Sequence, residues 1–226
     1  QISLHRVEFT NMAGIPILGV REVNINRLER FLKRVMDLAI LAVLAIPSLL
    51  VGLVVAVAIK LDSPGPVIYS GVRVGRSGRL FKMYKFRSMV INAEEQKEAL
   101  QALNEADGPL FKIKDDPRLT RVGRFIRRTS MDELPQLFNV LQGTMSMVGP
   151  RPPLPEEVAQ YKPWHRQRLT VIGGLTGLWQ VSGRADLTFD ELCLLDIYYI
   201  ENWSLSLDIR ILLQTVPHML FGRGAY

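Results

Sequence analysis

The sequence predicts a mixed α/β protein, mostly helical, made of a re-entrant membrane helix and one small domain. Three observations predict this. The run Leu38 to Ile59 is apolar and uncharged, and as a helix it is long enough to cross a bilayer core of about 30 Å. Val67 to Met89 alternates apolar and basic residues around Gly75 and Gly78, the pattern of two short strands and a turn. Apolar-rich segments of helical length follow, Phe189 to Asn202 and Leu207 to Leu220 among them. A chain of 226 residues holds one good core with appendages.

The apolar run carries Pro47 near its middle, then Ser48 and Gly52. Proline removes a backbone donor and crowds the preceding turn, so a kink is expected there. Both flanks are basic: Arg27, Arg30, Lys33 and Arg34 before, Lys60, Arg73, Arg76, Arg79, Lys82, Lys85 and Arg87 after. Short Lys- and Arg-rich flanks stay cytoplasmic. A helix that bends at Pro47-Ser48 and returns keeps both flanks on one side, with Ser48 bonding to carbonyls freed by the kink. This ranks first, a spanning helix second and a soluble core helix third. The run lies well inside the chain without a small-residue cleavage site, so it reads as an anchor and not a signal peptide.

The net charge of +6 favours anionic partners such as lipid headgroups or phosphorylated substrates. Nucleic acid is not expected, because the charge travels with a membrane segment. Cys193 is the single cysteine and reads as a buried thiol. His5, His165 and His218 are scattered without metal-ligand spacing.

In chain order, Gln1 to Asn26 reads as extended, Arg27 to Asp37 as a basic helix entering the membrane, and Lys60 to Pro66 as a turn. Asn92 to Asp107 reads as a helix ended by Gly108-Pro109. Asp116 to Arg128 reads as a helix with Pro117 in its first position. Its Arg118, Arg121, Arg124 and Arg128 share one basic face, suited to anionic headgroups at about 1 kcal/mol per charge or simply to water. Gly149 to Pro153 is a stiff loop, Glu156 to Leu169 a helix interrupted near Pro163, and Gly173 to Gly177 a turn.

Asp132 and Glu133 are the first candidates for chemistry. Ser130-x-x-Glu133 fits a capping box, which starts a helix. Its positive N-terminal field favours ionised carboxylates. An ionised Asp132 could attack phosphorus, and Glu133, diverging by about 100° on a helix, could hold a divalent cation on phosphate oxygens. On spacing alone, capping is the preferred role of both. Lys85, Arg127 and Arg151 are candidate phosphate-binding cations, arginine being able to grip phosphate with two parallel bonds. The Gly75–Gly78 and Gly173–Gly177 turns match no nucleotide-binding fingerprint.

From Arg27 to Tyr226 the chain resembles the bacterial sugar transferases known as monotopic phosphoglycosyl transferases. The resemblance rests on FLKRVMDLAI, KLDSPGPVIYSGVRVGRSGRLFKMYKFRSM, DPRLTRVGRFIRRTSMDELPQLFNVLQGTMSMVGPRP, GLTGLWQVSGR, LDIYYIENWSLSLDI and the terminal GAY. It implies a re-entrant helix, a cytosolic catalytic domain on the bacterial inner membrane, and transfer of a sugar 1-phosphate from a UDP-sugar to undecaprenyl phosphate with release of UMP. This is the first membrane step of surface polysaccharide synthesis. It implies Asp132 as nucleophile, Glu133 as the Mg2+ ligand, and Lys85, Arg127 and Arg151 as phosphate-binding residues. Two positions depart from the family pattern: Pro47-Ser48 stands where Ser-Pro is usual and about a turn earlier, and Ile172-Gly173 replaces a basic residue and proline. NMAGIPILGVRE resembles the end of the N-terminal region of larger members. Residues 1–26 are then expected to be the tail of such a region, 27–60 the anchor and 61–226 the catalytic domain. Galactose or glucose 1-phosphate is the expected group, and further copies of the chain are allowed as partners. The rival readings are another membrane phosphotransferase acting on an alcohol, and a non-catalytic membrane-surface binding module.

Overall fold

The computed structural model describes residues 7–12, 15–20, 26–105, 108–111, 113, 115–182 and 187–221. The extended N-terminal segment is an antiparallel hairpin of β1 (Val7–Met12) and β2 (Ile15–Val20). Helix α1 (Arg27–Asp62) follows, 36 residues long and unbroken through Pro47. Asn26 and Glu29 form a reciprocal capping box at its start. Among the described residues it is the one helix long and apolar enough to cross a membrane.

Strands β3 (Ile68–Val74) and β4 (Leu80–Phe86) pair antiparallel around the predicted glycine turn, with Tyr69 opposite Lys85 and Arg73 opposite Phe81. Helices α2 (Arg121–Arg128) and α3 (Gln136–Gln142) flank the Asp132 turn. The parallel pair of β5 (Ser146–Val148) and β6 (Gly174–Thr176) encloses α4 (Pro155–Ala159) and a 3-10 segment, Pro163–Thr170. Short α5 (Leu178–Val181) precedes α6 (Phe189–Glu201) and α7 (Leu205–Phe221).

The main core gathers Met83, Leu137, Val140, Met145, Met147, Val148, Tyr199, Ile200 and Ile211, with Ile40 and Leu41 of α1 packed against it. A second cluster joins Val55 and Ile59 of α1 to Phe86 and Ile126. Helix α1 therefore meets the domain near both ends. At the first, Arg34 donates to the carbonyls of Val140 and Leu141 at 2.5 and 2.8 Å, and Asp37 accepts from Ser146 Oγ and Met147 N. At the second, Asp62 accepts from Val122 N at 3.0 Å, and Arg87 donates to the carbonyls of Ser63 and Pro64. Between these grips residues 42–47 are exposed, all but Pro47 apolar.

Four local expectations are corrected. Residues 92–104 form successive turns and one 3-10 turn, Gln101–Leu103. The carbonyl of Ala93 accepts from Arg118 Nη1, and Lys97 N turns to Glu94 instead. Helix α2 starts only at Arg121, capped by Thr120, so Pro117 lies in the preceding turn. Arg118 is buried against Asp116 at 2.6 Å and the Phe111 ring, which leaves Arg121, Arg124 and Arg128 as the exposed basic residues of α2. The Gly173–Gly177 segment contributes strand β6 rather than a turn alone.

Candidate active site

Asp132 sits in a single 3-10 turn, Met131–Glu133, between α2 and α3. The expected capping box is absent: Ser130 makes no side-chain cap bond and takes the left-handed conformation at φ 55°. The reason is Pro135. In an α-helix starting at Met131, residue 135 would have to donate its N–H to the Met131 carbonyl, and proline has none. Leu134 N takes that carbonyl at 3.2 Å, and α3 begins after the proline. A non-glycine residue at positive φ stores strain of order 1 kcal/mol, and such residues cluster at functional sites.

The turn drives Asp132 inward, where it is only 5% exposed. The field on it comes from side chains rather than from a long helix. Lys85 Nζ lies 3.5 Å from Asp132 Oδ2 and 2.8 Å from Glu133 Oε1. Burial pushes the Asp132 carboxyl above the ordinary aspartate range, and the Glu133 charge adds to this, while Lys85 and Arg127 oppose it. Burial works against the charge on Lys85, but Glu133 and Asp132 outweigh it and hold that pKa above the ordinary lysine value.

The position of Lys85 is fixed by Asn139 of α3, which is fully buried. Its Oδ1 accepts from Tyr84 N at 3.0 Å and its Nδ2 donates to the Lys82 carbonyl at 2.7 Å. The side chain thus pairs with β4 as another strand would, and it ties the lysine to the helix that follows the carboxylates. Arg127, half-buried at the end of α2, acts on both Asp132 and Lys85 through its charge.

Arg151 stands further off. It is turned to the buried Glu157, at 3.3 Å from both carboxylate oxygens. Its carbonyl accepts from Arg168 Nη2 at 3.4 Å, and Arg168 is itself held by Asp196 at 2.6 Å and by the Tyr161 hydroxyl at 2.8 Å. These residues, which the sequence reading did not single out, fix the Arg151 loop. Pro47 and Ser48 lie in α1 away from this cluster, Pro47 exposed and Ser48 half-buried.

Beside the turn runs an apolar groove of about 500 Å³ between α1 and α2. Val51, Val54, Val55 and Ala58 line one wall, Val122, Phe125 and Ile126 the other, and Met131 and Arg121 complete it. Met131, the residue before Asp132, lines this groove, whereas Asp132, Glu133 and Lys85 do not.

No three His, Cys, Asp or Glu side chains among the described residues form a metal cage. The oxygen donors of Asp132 and Glu133 do suit Mg2+, which binds through one or two carboxylates together with substrate phosphate oxygens and water. Glu133, with its side chain 32% exposed, is the more accessible of the two.

Comparison with known proteins shows the family. Over 162 residues the chain is 52% identical to the galactosyl transferase CpsE of Streptococcus agalactiae, covering 71% of this chain and 36% of that protein. It is 44% identical over 219 residues to the undecaprenyl-phosphate galactose phosphotransferase of Salmonella typhimurium, covering 94% and 45% respectively. It is 43% identical over 211 residues to the undecaprenyl-phosphate glucose phosphotransferase of Komagataeibacter xylinus, covering 86% and 37%. The chain thus spans between a third and a half of the length of these relatives. Residues 28–222 match the family described as bacterial sugar transferase. That match takes in α1, the Lys85 hairpin, the Asp132 turn and the Arg151 loop together, and this chain belongs to the bacterial sugar transferase family.

Proposed function

We propose that this chain transfers a sugar 1-phosphate from a UDP-sugar to undecaprenyl phosphate through a covalent intermediate on Asp132. The observation that carries the reading is a buried carboxylate, held by Lys85, in a turn whose Met131 lines an apolar groove shared with α1. Asp132 attacks the β-phosphorus, the bond from that phosphorus to the bridging oxygen breaks, and UMP leaves. An oxygen of the polyprenyl phosphate then attacks the same phosphorus. The acyl phosphate bond breaks, the carboxylate is regenerated, and a polyprenyl diphospho-sugar departs. Lys85 and Arg127 offset the phosphate charge that would repel the carboxylate, and Arg151 binds a phosphate oxygen. Mg2+, bound at Glu133, would supply further charge stabilisation on the phosphates. The groove between α1 and α2 receives the first isoprene units and brings the acceptor to Asp132 already oriented.

The sugar is galactose or glucose, as in the names of the relatives, and the reaction begins a surface polysaccharide. The reaction is tested by incubating the protein in nanodiscs with UDP-sugars, Mg2+ and undecaprenyl phosphate. UMP release is expected from UDP-galactose or UDP-glucose, and to need lipid and metal. Absence of release, with liposome binding retained, would favour a non-catalytic membrane-surface module.

The two grips on α1 support a re-entrant membrane path. A helix of 36 residues is about 54 Å long, more than a bilayer core. One water-facing domain could not supply polar partners to both ends of a spanning helix. We therefore place both ends on the cytoplasmic face of the inner membrane, with the exposed stretch around Pro47 dipping into the bilayer. Arg121, Arg124 and Arg128 then face anionic headgroups. Cys193 is buried, so single cysteines placed at Arg30 and Leu61 report cleanly. Both are expected to react with a membrane-impermeant maleimide from the cytoplasmic side. Labelling from opposite sides would establish a spanning helix.

A further inference from the structure

We propose that Arg73 is a substrate-binding residue that grips, together with Arg151, the phosphate of the departing nucleoside monophosphate. The inference rests on the transfer reaction proposed above. It starts from an arginine whose Nε and Nη1 are buried without a hydrogen-bond partner among the described residues. A buried donor left unpaired is costly, more so on a charged group, and a fold keeps such a group where a ligand completes it.

The hairpin register places Arg73 on the substrate side. Residues directly opposite in an antiparallel pair share a face, as do residues two apart along a strand. Tyr69, Gly71 and Arg73 therefore line the same face as their partners Lys85, Met83 and Phe81. Lys85 marks the Asp132 end of that face, and Arg73 lies four residues, about 13 Å, further along. Gly71 lies between them with the Tyr69 ring folded over it, where a Cβ would come within 3.3 Å of the ring. The Tyr69 ring covers Gly71, and Met83 opposite it is buried in the main core, so the two cations mark the two ends of this face.

The far end of β3 is tied to the loop of the other arginine, because Val74 N donates to the Pro153 carbonyl at 2.9 Å. Burial and the nearby Arg151 charge bring the Arg73 pKa down to about 10, with Glu157, Tyr69 and Glu133 opposing. Two guanidinium groups are thus held near each other with one carboxylate, Glu157, bonded to Arg151. The net charge of +1 that remains suits an anionic phosphate group. The donor diphosphate has two phosphates, and the one attacked must lie at Asp132 and Lys85. The other, which leaves, is one bridging oxygen away, so the Arg73 side chain must reach back along the face to meet it, and its guanidinium already feels the Glu133 charge.

The test compares wild type, Arg73→Gln and Arg73→Lys in detergent, measuring Tm with and without UMP. UMP should stabilise the wild type. In Arg73→Gln the affinity for UMP, as dissociation constant and as product inhibition constant, should fall about ten- to a hundredfold. KM for polyprenyl phosphate should change little. Arg73→Lys should fall between, keeping the charge but not the fork. Without nucleotide, Arg73→Gln should melt no lower than wild type, because a base whose folded pKa is depressed disfavours the fold below that pKa. Unchanged UMP affinity in Arg73→Gln, a lower Tm without nucleotide, or a raised KM for the lipid alone would each overturn the inference. A wild type that does not bind UMP would overturn the transfer reading along with it.

Discussion

Asp132→Asn is expected to fold, to melt above the wild type, and to lose turnover by on the order of ten-thousandfold or more, the scale seen when a residue of a covalent catalytic unit is removed. The kinetic part follows from chemistry: an amide oxygen is a poor nucleophile toward phosphorus and forms no acyl phosphate. The stability part follows from burial. Asp132 is almost fully enclosed, and its pKa is raised chiefly by desolvation. For an acid with a raised folded pKa, the protonated form favours the fold. That advantage is lost as pH rises through the raised value, so at pH 7 the carboxylate destabilises. Asparagine removes the charge at nearly constant volume, and Lys85 keeps Glu133 at 2.8 Å. In wild type the same shift sets the acid limb of kcat/KM above the ordinary aspartate value of about 3.9. A variant that retains near-native turnover would remove Asp132 as nucleophile, and one that melts lower would show that the carboxylate holds the turn together.

How much of this was legible in the sequence depends on the range of the interaction. The β3–β4 hairpin follows from alternation and from Gly75 and Gly78, because a strand's two faces are written in adjacent residues. Helices α6 and α7 follow from apolar content and length. The stretch from Asn92 was misread for a physical reason: its composition favours a helix, but helices this short need a packed face. Among its described residues Ala93 is the one buried apolar side chain, and the carbonyl of Ala93 accepts from Arg118. Arg118 in turn looked like part of a surface stripe because nothing local announces a buried pair with Asp116. Gly123 is similar. A Cβ there would lie 1.9 Å from the Ser88 carbonyl oxygen, and the string RVGRF says nothing of that approach.

The candidate site divides the same way. Lys85 and Asp132 are 47 residues apart, and charge chemistry together with the family resemblance named both as candidates, but only the fold sets their distance. Asn139 and Arg168 were passed over because their work is done on distant backbone. Arg73 could have been found from sequence, since pairing Tyr69 with Lys85 across the predicted turn already places Arg73 on the face of Lys85.

The second large effect is expected at Asp208, which no motif singled out. It is fully buried and accepts from Lys33 Nζ at 2.6 Å, from the Tyr199 hydroxyl at 2.7 Å and from Trp203 Nε1 at 3.2 Å. The Lys33 side chain is itself only 12% exposed. Asp208→Ala therefore leaves a nearly enclosed ammonium without its carboxylate, and breaking a buried pair in this way costs about 3–5 kcal/mol. For a chain of this size that corresponds to a fall in Tm of roughly 10 °C. Asp208→Asn, which keeps one acceptor oxygen, for Tyr199 or for Trp203 but not for both, should lose less. The kinetic consequence should be small by comparison. Asp208 acts on the N-terminal grip of α1, whereas the Asp132 turn packs through Val55, Ile59, Phe86 and Ile126 against the C-terminal one. At temperatures where Asp208→Ala stays folded, KM for the UDP-sugar should stay near the wild-type value while Tm falls. A fall in kcat/KM matching that of Asp132→Asn would mean that the two ends of α1 are coupled through the helix. Helix α1 would then act as one rigid rod through Pro47, because a hinge there would absorb the disturbance before it reached the groove.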